Sequence, residues 1–385
     1  MIIQNGLVFD PDCTFRERTV FTKDGIFCEK GISEDEVLDA SGCYVIPGLT
    51  DIHFHGCMGA DFCDGTPEAL RTIAGYEAAH GITAICPATL TLPSEELVHV
   101  LENAAAFASL QRKTRHADQA DLIGINMEGP FISPVRKGAQ NGKYIIPFDA
   151  DLCGRFFAAS EGLVKIMGIA PEENPGFEEK LQTVKEKMRI SLAHTNADYD
   201  TAMAAFAAGA SHAVHLYNGM PEMTHREPGV VGAVRDSSHV TAELICDGNH
   251  IHPSVIRAAF DMLSGERIVL ISDSLRAAGL GDGRVMLGGQ AVDVKGTRAT
   301  LAEGGNLAGS VVNLLDCLRI VVQKMHIPLE TAVRCAAWNP VRVIGAENEY
   351  GCIAPGRHAN AVLLDRKDLS LKAVVKDGTV IFQES

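Results

Sequence analysis

Eight apolar runs recur through the middle of the chain, and their spacing constrains the fold more than any other feature. They begin near Asp51, Ile82, Leu122, Val164, Ile190, His212, Ala242 and Ile268. The intervals are roughly 25 to 40 residues, the length that a buried parallel strand and its crossover helix need. Most runs are followed by Ala-rich or amphipathic stretches suited to helices, including Pro67 to His80, Ser94 to Arg112, Gly176 to Met188 and Asp198 to Ala208. Gly81 and Gly209 stand where a glycine is expected to end a helix. The pattern predicts an α/β protein built on a (β/α)8 TIM-like barrel, with a doubly wound open sheet as the alternative. The polar residues favour the barrel. His53 and His55, Glu128, His194, His215, Asp247 with His250, and Asp273 fall at the C-terminal ends of the runs. A closed barrel brings that rim together, whereas an open sheet spreads it along an edge.

The two ends of the chain read differently. Residues 1 to about 49 carry short β-type runs separated by turn chemistry, such as Gly6-Leu-Val-Phe9, Thr19-Val-Phe21 and Tyr44-Val-Ile46. The style returns at Ala361 to Asp365, Lys372 to Lys376 and Thr379 to Phe382, with Asp377-Gly378 as a hairpin turn. The terminal strands are expected to pair into one sheet, which makes a small discontinuous domain of residues 1–49 plus 353–385 beside a barrel of residues 50–352. Hydrophobic residues at 46% and charged ones at 22% exclude a disordered or fibrous chain. A net charge of −15, with no basic tract beyond the scattered Gln111 to His116 stretch, argues against nucleic acid as a partner. It also means that a phosphorylated ligand needs a local cationic pocket. The eleven cysteines are dispersed and lack a C-x-x-C pair, so they read as reduced thiols. No apolar stretch reaches the ~18 residues of a membrane span. A soluble cytoplasmic protein without a membrane partner is expected.

The chemistry gathers at the strand ends. In Asp51-Ile-His53-Phe-His55 the two imidazoles are two residues apart, so on a strand they share a face and can chelate a metal. Glu128 ends an apolar run and is followed by Gly129-Pro130, a position that is costly unless the carboxylate is solvated, paired or metal-bound. His194 and His215 end consecutive runs, so their rings can approach one cation. With Glu128 they supply two neutral nitrogens and a carboxylate, a set that holds Zn²⁺ or a comparable divalent ion with a position left for water. His212 is expected to face away from His215 and to be structural. Asp273 closes the eighth run, where it can take a proton from a metal-activated water and pass it to a leaving amine.

These motifs, together with Pro47-Gly-Leu-Thr-Asp-Ile-His53, His215-Leu-Tyr-Asn218-Gly219-Met220, Arg226-Glu-Pro-Gly229, Asp247-Gly-Asn-His250 and Leu307-Ala308-Gly309-Ser310, resemble the N-acetylglucosamine-6-phosphate deacetylases of the amidohydrolase superfamily. The resemblance implies that the terminal domain is a small β-sandwich beside a metal-dependent catalytic barrel, and that the reaction is hydrolysis of the acetamide of a phosphorylated amino sugar to acetate and glucosamine 6-phosphate. It assigns Glu128, His194 and His215 to the principal metal, Asp273 to general base and acid, and His53 with His55 to a second ion. One or two divalent ions per subunit are implied, Zn²⁺ first, with Fe²⁺, Mn²⁺ or Co²⁺ as alternatives. Asn218, Gly219 and Arg226 fall at phosphate contacts, Arg226 reaching the neighbouring active site of a homodimer. Ala139, Asp247, His250, Leu307, Ala308 and Gly309 fall at sugar contacts. Gln140 stands where some relatives have a histidine that polarises the amide carbonyl. A glutamine still donates a hydrogen bond but cannot become cationic.

Three alternatives stay open at this level. The same chemistry on N-acetylgalactosamine 6-phosphate differs by one hydroxyl. A cyclic amidase of the dihydroorotase or hydantoinase type needs a lysine ending the fourth strand, and Lys165 begins it instead. A non-catalytic scaffold has no physical reason to keep these polar groups at one rim.

Overall fold

A computed structural model describes residues 1–31, 36–114 and 116–384. Arg115, within the Gln111 to His116 stretch, lies outside the described residues. The eight expected runs form parallel strands in sequence order: β1 (Leu49–Asp51), β2 (Ile82–Ile85), β3 (Ile125–Phe131), β4 (Val164–Ile169), β5 (Arg189–Leu192), β6 (His212–Ala213), β7 (Thr241–Ile245) and β8 (Ile268–Ile271). Each pairs with the next, β2 meeting β3 through the short strand Asp121–Leu122 and a bridge between Ala88 and Asn126. The ring closes between β8 and β1. There the Asp273 amide donates to His53 O (2.9 Å), and the Ser272 amide donates to the buried carboxylate of Asp51 (3.2 Å). Closure removes both sheet edges, as the polar rim required.

The outer helices begin and end where their sequences say. α1 (Pro67–Ala79) is capped by Thr66, whose hydroxyl accepts from the Ala69 amide, has proline at its first position, and gives way to Gly81 at φ +83°. α2 (Ser94–Thr114), α3 (Ala150–Ala159), α4 (Phe177–Val184), α5 (Tyr199–Ala208), α6 (Gly229–Asp236), α7 (Pro253–Arg267) and α8 (Leu314–Gln323) follow. Their apolar faces and the outer faces of the strands make the main core, in which Ile73, Leu101, Phe156, Leu181, Ile256 and Leu318 are buried. Within the barrel, Ile52, Cys86, Ile166, Ile245, Val269 and Ile271 cluster with Val343 and Ile344.

The terminal segments share sheets. Ala361–Asp365 lies antiparallel to Cys43–Pro47, which is flanked by Leu7–Phe9, and Leu371–Lys376 and Thr379–Gln383 extend the other side. A second sheet of Ile26–Cys28, Val20–Lys23, Ile2–Gln4 and Val37–Asp39 packs with it around Ile3, Val8, Val20, Phe27, Val45, Leu363 and Val375. Asp377 and Gly378, at φ +47° and +73°, make the expected two-residue hairpin turn. One element escaped the sequence reading. After β8 the chain forms a three-stranded antiparallel sheet, Gly283–Leu287, Gln290–Lys295 and Arg298–Leu301, over the mouth of the barrel. Its signal was the Gly288-Gly289 pair between two alternating runs.

Candidate active site

At the C-terminal mouth, three imidazoles converge on one carboxylate oxygen. Oε1 of Glu128, at the centre of β3, lies 2.8 Å from His215 Nε2, 3.0 Å from His194 Nε2 and 3.3 Å from His53 Nε2. Oε2 lies 3.3 Å from His55 Nε2, which is also 3.3 Å from Asp273 Oδ1. All six groups are buried.

The opposite ring nitrogens explain what belongs among them. His194 Nδ1 donates to Arg136 O (2.7 Å), His215 Nδ1 to Asn218 O (3.0 Å), and His53 Nδ1 to Glu243 Oε2 (2.7 Å). In a neutral imidazole this leaves Nε2 as a lone pair, so three lone pairs face an acceptor oxygen. A cation between them resolves the repulsion, and a neutral imidazole pinned through its other nitrogen is the form that binds metal. Two sets have donor atoms within 4.8 Å of one another, His53 with Glu128 and His215, and His53 with His55 and Asp273. These residues fit one or two divalent ions. The field of the site says the same. Burial disfavours charged histidine, yet the carboxylates Glu243 and Glu128 hold His53 well above the ordinary range, and Glu128 raises His194. His55 is pushed up to about 10 against its burial by Asp273 and Glu128. A potential that draws protons onto three rings draws a metal ion equally.

The backbone is strained where it aims these groups. His194, His215 and Asp273 have φ of +43°, +26° and +49°, a region costing roughly 1–3 kcal/mol per non-glycine residue. Each follows the last residues of its strand, and the left-handed turn redirects the side chain across the mouth. Burial raises the Asp273 carboxyl, but the hydrogen bond from His55 and the charges of His53 and His55 carry it below its ordinary value. It is therefore ionised at neutral pH.

The cavity beside these groups has a volume of about 150 Å³ and is lined by Gly138, Ala139, Gln140, Asn218, Gly219, His250, Leu307 and Gly309, with Leu90 and Leu287 as apolar walls. Gln140 is held at both ends: its Oε1 accepts from the Thr91 amide (2.7 Å), and its Nε2 donates to Glu128 Oε2 (2.6 Å). One amide hydrogen remains for a ligand. Asp247 does not line the cavity. It accepts from His250 Nδ1 at 2.8 Å and holds that ring in the wall. Ala308 is buried behind the wall among Leu275, Leu287 and Leu301. Arg226 is exposed on the loop between β6 and α6 and is absent from this chain's cavity lining. Leu287, from the unexpected sheet, roofs the cavity, and Gln290 Nε2 donates to Ala139 O (2.5 Å), tying that sheet to the loop beneath.

The expectation that His212 faces away from the site is corrected. Its Nε2 donates to Glu243 Oε1 (3.0 Å), and Glu243 in turn holds His53. Strand alternation fails as a guide because β6 is two residues long and the chain has turned before His215. Glu243 and Asp51 were themselves missed. Thr241-Ala-Glu-Leu-Ile245 alternates as an edge-facing strand would, so only three-dimensional pairing reveals the carboxylate inside.

The Amidohydrolase family profile matches residues 44–381. The chain belongs to the amidohydrolase family. It is thus a metal-dependent hydrolase with a TIM barrel and a small β domain. This amidohydrolase is 33% identical over 347 residues to the N-acetylglucosamine-6-phosphate deacetylase of Bacillus subtilis (strain 168), an alignment covering 90% of this chain and 87% of that one. It is also 33% identical over 319 residues to the N-acetylgalactosamine-6-phosphate deacetylase of Escherichia coli O157:H7, covering 83% of each. Among solved structures, a mutant N-acetyl-D-glucosamine-6-phosphate deacetylase from Mycobacterium smegmatis in complex with N-acetyl-D-glucosamine-6-phosphate superposes with a TM-score of 0.90 at 29% identity, covering 100% of this chain and 99% of that one. Among the described residues no helix is long and apolar enough to cross a membrane.

Proposed function

We propose that this amidohydrolase removes the N-acetyl group of N-acetyl-D-glucosamine 6-phosphate, releasing acetate and D-glucosamine 6-phosphate, in cytoplasmic amino sugar breakdown. The observation that carries the chemistry is the convergence of His53, His194 and His215 on Glu128 beside an ionised Asp273. The likeness to deacetylases over most of the chain supports the substrate.

Glu128, His194 and His215 would hold the principal ion, and His53 and His55 a second, with Zn²⁺ the metal that suits this nitrogen and carboxylate set best. When bound, a divalent cation supplies Lewis acidity and lowers the pKa of a coordinated water towards neutrality. Asp273 takes the proton that the attacking water gives up, then returns it to the amine nitrogen as the acetamide C–N bond breaks. Gln140 presents its remaining N–H to the acetyl carbonyl, and its grip on Glu128 keeps that carboxylate from rotating. Leu90, Leu287 and Leu307 exclude bulk water and strengthen each polar contact. On the sugar side, His250, Ala139 and Gly309 shape the pocket. Asn218 and Gly219 supply donors to the phosphate, and Arg226 of a second copy in a homodimer pairs with it bidentately.

The test is acetate release by the metal-loaded protein from the gluco and galacto 6-phosphates and from unphosphorylated N-acetylglucosamine, side by side. Preferred turnover of the gluco 6-phosphate is expected. A galacto preference changes the substrate alone, and absence of acetate with Zn²⁺, Fe²⁺, Mn²⁺ and Co²⁺ refutes the reaction.

A further inference from the structure

Glu243 is a fully buried carboxylate for which the reaction above has no use. It sits in the middle of β7 and does not line the cavity. Its two oxygens are fully committed. Oε2 accepts from His53 Nδ1 (2.7 Å) and from the His215 backbone amide (3.1 Å), and Oε1 accepts from His212 Nε2 (3.0 Å). One carboxylate therefore grips the ring of one candidate ligand and the strained backbone of another.

Resting on the metal-site reading above, we infer that Glu243 is a positioning residue that makes the second cation position available. His53 belongs to both donor sets, one with Glu128 and His215 and one with His55 and Asp273. Its ring serves either set only when Nδ1 carries the proton and Nε2 presents the lone pair. Glu243 imposes that tautomer, because a carboxylate accepts and cannot donate. Among the described residues His53 Nε2 has no hydrogen-bond partner, and it faces Glu128 Oε1 at 3.3 Å, as an atom kept for a shared cation would. His215 is tied differently. Its own Nδ1 is pinned by Asn218 O, so the principal position keeps its orientation without Glu243. Loss of Glu243 thus falls hardest on the ion that His53 would hold with His55 and Asp273, because for the other ion His194 and His215 keep their own Nδ1 partners, Arg136 O and Asn218 O. Outer carboxylates of this kind change metal affinity by about ten- to a hundredfold.

The experiment uses the full chain stripped with a chelator and reloaded with Mn²⁺, with stoichiometry and stepwise affinity read by titration and elemental analysis. Wild type is expected to take two ions. Glu243→Gln is expected to keep the first at near wild-type affinity and to bind the second about ten- to a hundredfold more weakly, while metal-free Glu243→Gln melts as a folded protein. A Glu243→Gln protein that binds both ions as wild type does, or loses both alike, overturns the inference. If that variant does not fold, histidine ¹⁵N spectra of wild type loaded with diamagnetic Zn²⁺ decide: Nδ1 of His53 carries the proton if the inference holds and lacks it if not. A wild type that takes one ion and still releases acetate defeats this inference alone. One that takes none defeats the metal-site reading as well.

Discussion

Gly168 offers the sharpest check on how tightly the strands hold the catalytic groups. It lies in β4, between the strand carrying Glu128 and the strand leading to His194. A methyl group at Gly168 would stand 2.7 Å from Ala193 Cβ and 3.1 Å from Met127 O, and both neighbours adjoin a candidate ligand. Carbon atoms in ordinary contact are about 3.5–4.0 Å apart, so the β5 side must move by about 1 Å. Overpacking of this kind costs about 1–3 kcal/mol. The kinetic effect should be larger, since a 1 Å misplacement of reacting groups costs about 10²-fold. Gly168→Ala is therefore expected to melt a few degrees lower and to turn over roughly a hundredfold more slowly, with weakened binding of the principal metal.

Gly154→Ala is the matched control. Gly154 lies inside α3, and a methyl there meets nothing within 4 Å, so about 0.5–1 kcal/mol of added stability and unchanged turnover are expected. The assays are thermal melts, metal content and steady-state acetate release on both variants. Wild-type turnover and metal content in Gly168→Ala would show that the mouth adjusts freely and would refute the reasoning from strand spacing.

Asp273→Asn should keep the ion held by Glu128, His194 and His215 and lose about 10²–10⁴ in kcat, because the water loses its proton acceptor; near-normal kcat rejects that role. Arg226→Ala should raise KM for the phosphorylated sugar and spare any weak action on the unphosphorylated one, and equal losses on both remove Arg226 from the phosphate. His53→Ala with His55→Ala should retain measurable acetate release through Glu128, His194 and His215, whereas complete loss in folded protein means that two ions are required. The fully buried Lys376 pairs with Asp377 at 2.9 Å, and Asp377 also accepts from His358 Nδ1 at 2.7 Å. Burial raises the Asp377 carboxyl, but these two partners carry it to about 2 from an ordinary 3.8. A depressed carboxylate contributes stability above its unfolded value and loses it as pH falls through the folded one. Wild type should lose ~2 kcal/mol more than Asp377→Asn between about pH 4 and pH 2, and chemical denaturation of both across that range reads the difference.

What the sequence discloses and what it hides follow from one physical distinction. Period and spacing are local, so the eight runs, the capping glycines and the Asp377-Gly378 turn could be read from residue order, and so could the polar residues that end the runs. Charge pairing inside a barrel is not local. Glu243 alternates with Ala242 and Leu244 as a solvent-facing residue would, and its meaning comes from His53, which is 190 positions away in the chain. The left-handed turns at His194, His215 and Asp273 are hidden for a related reason, since no glycine marks them. Glycine would make each turn at lower cost and would remove the side chain that the turn exists to aim. That three non-glycine residues accept this strain at one rim, each beside Glu128 or His55, is itself an argument for the site. The strain is stabilised only by what gathers there, so a bound cation should raise the melting temperature as well as restore turnover.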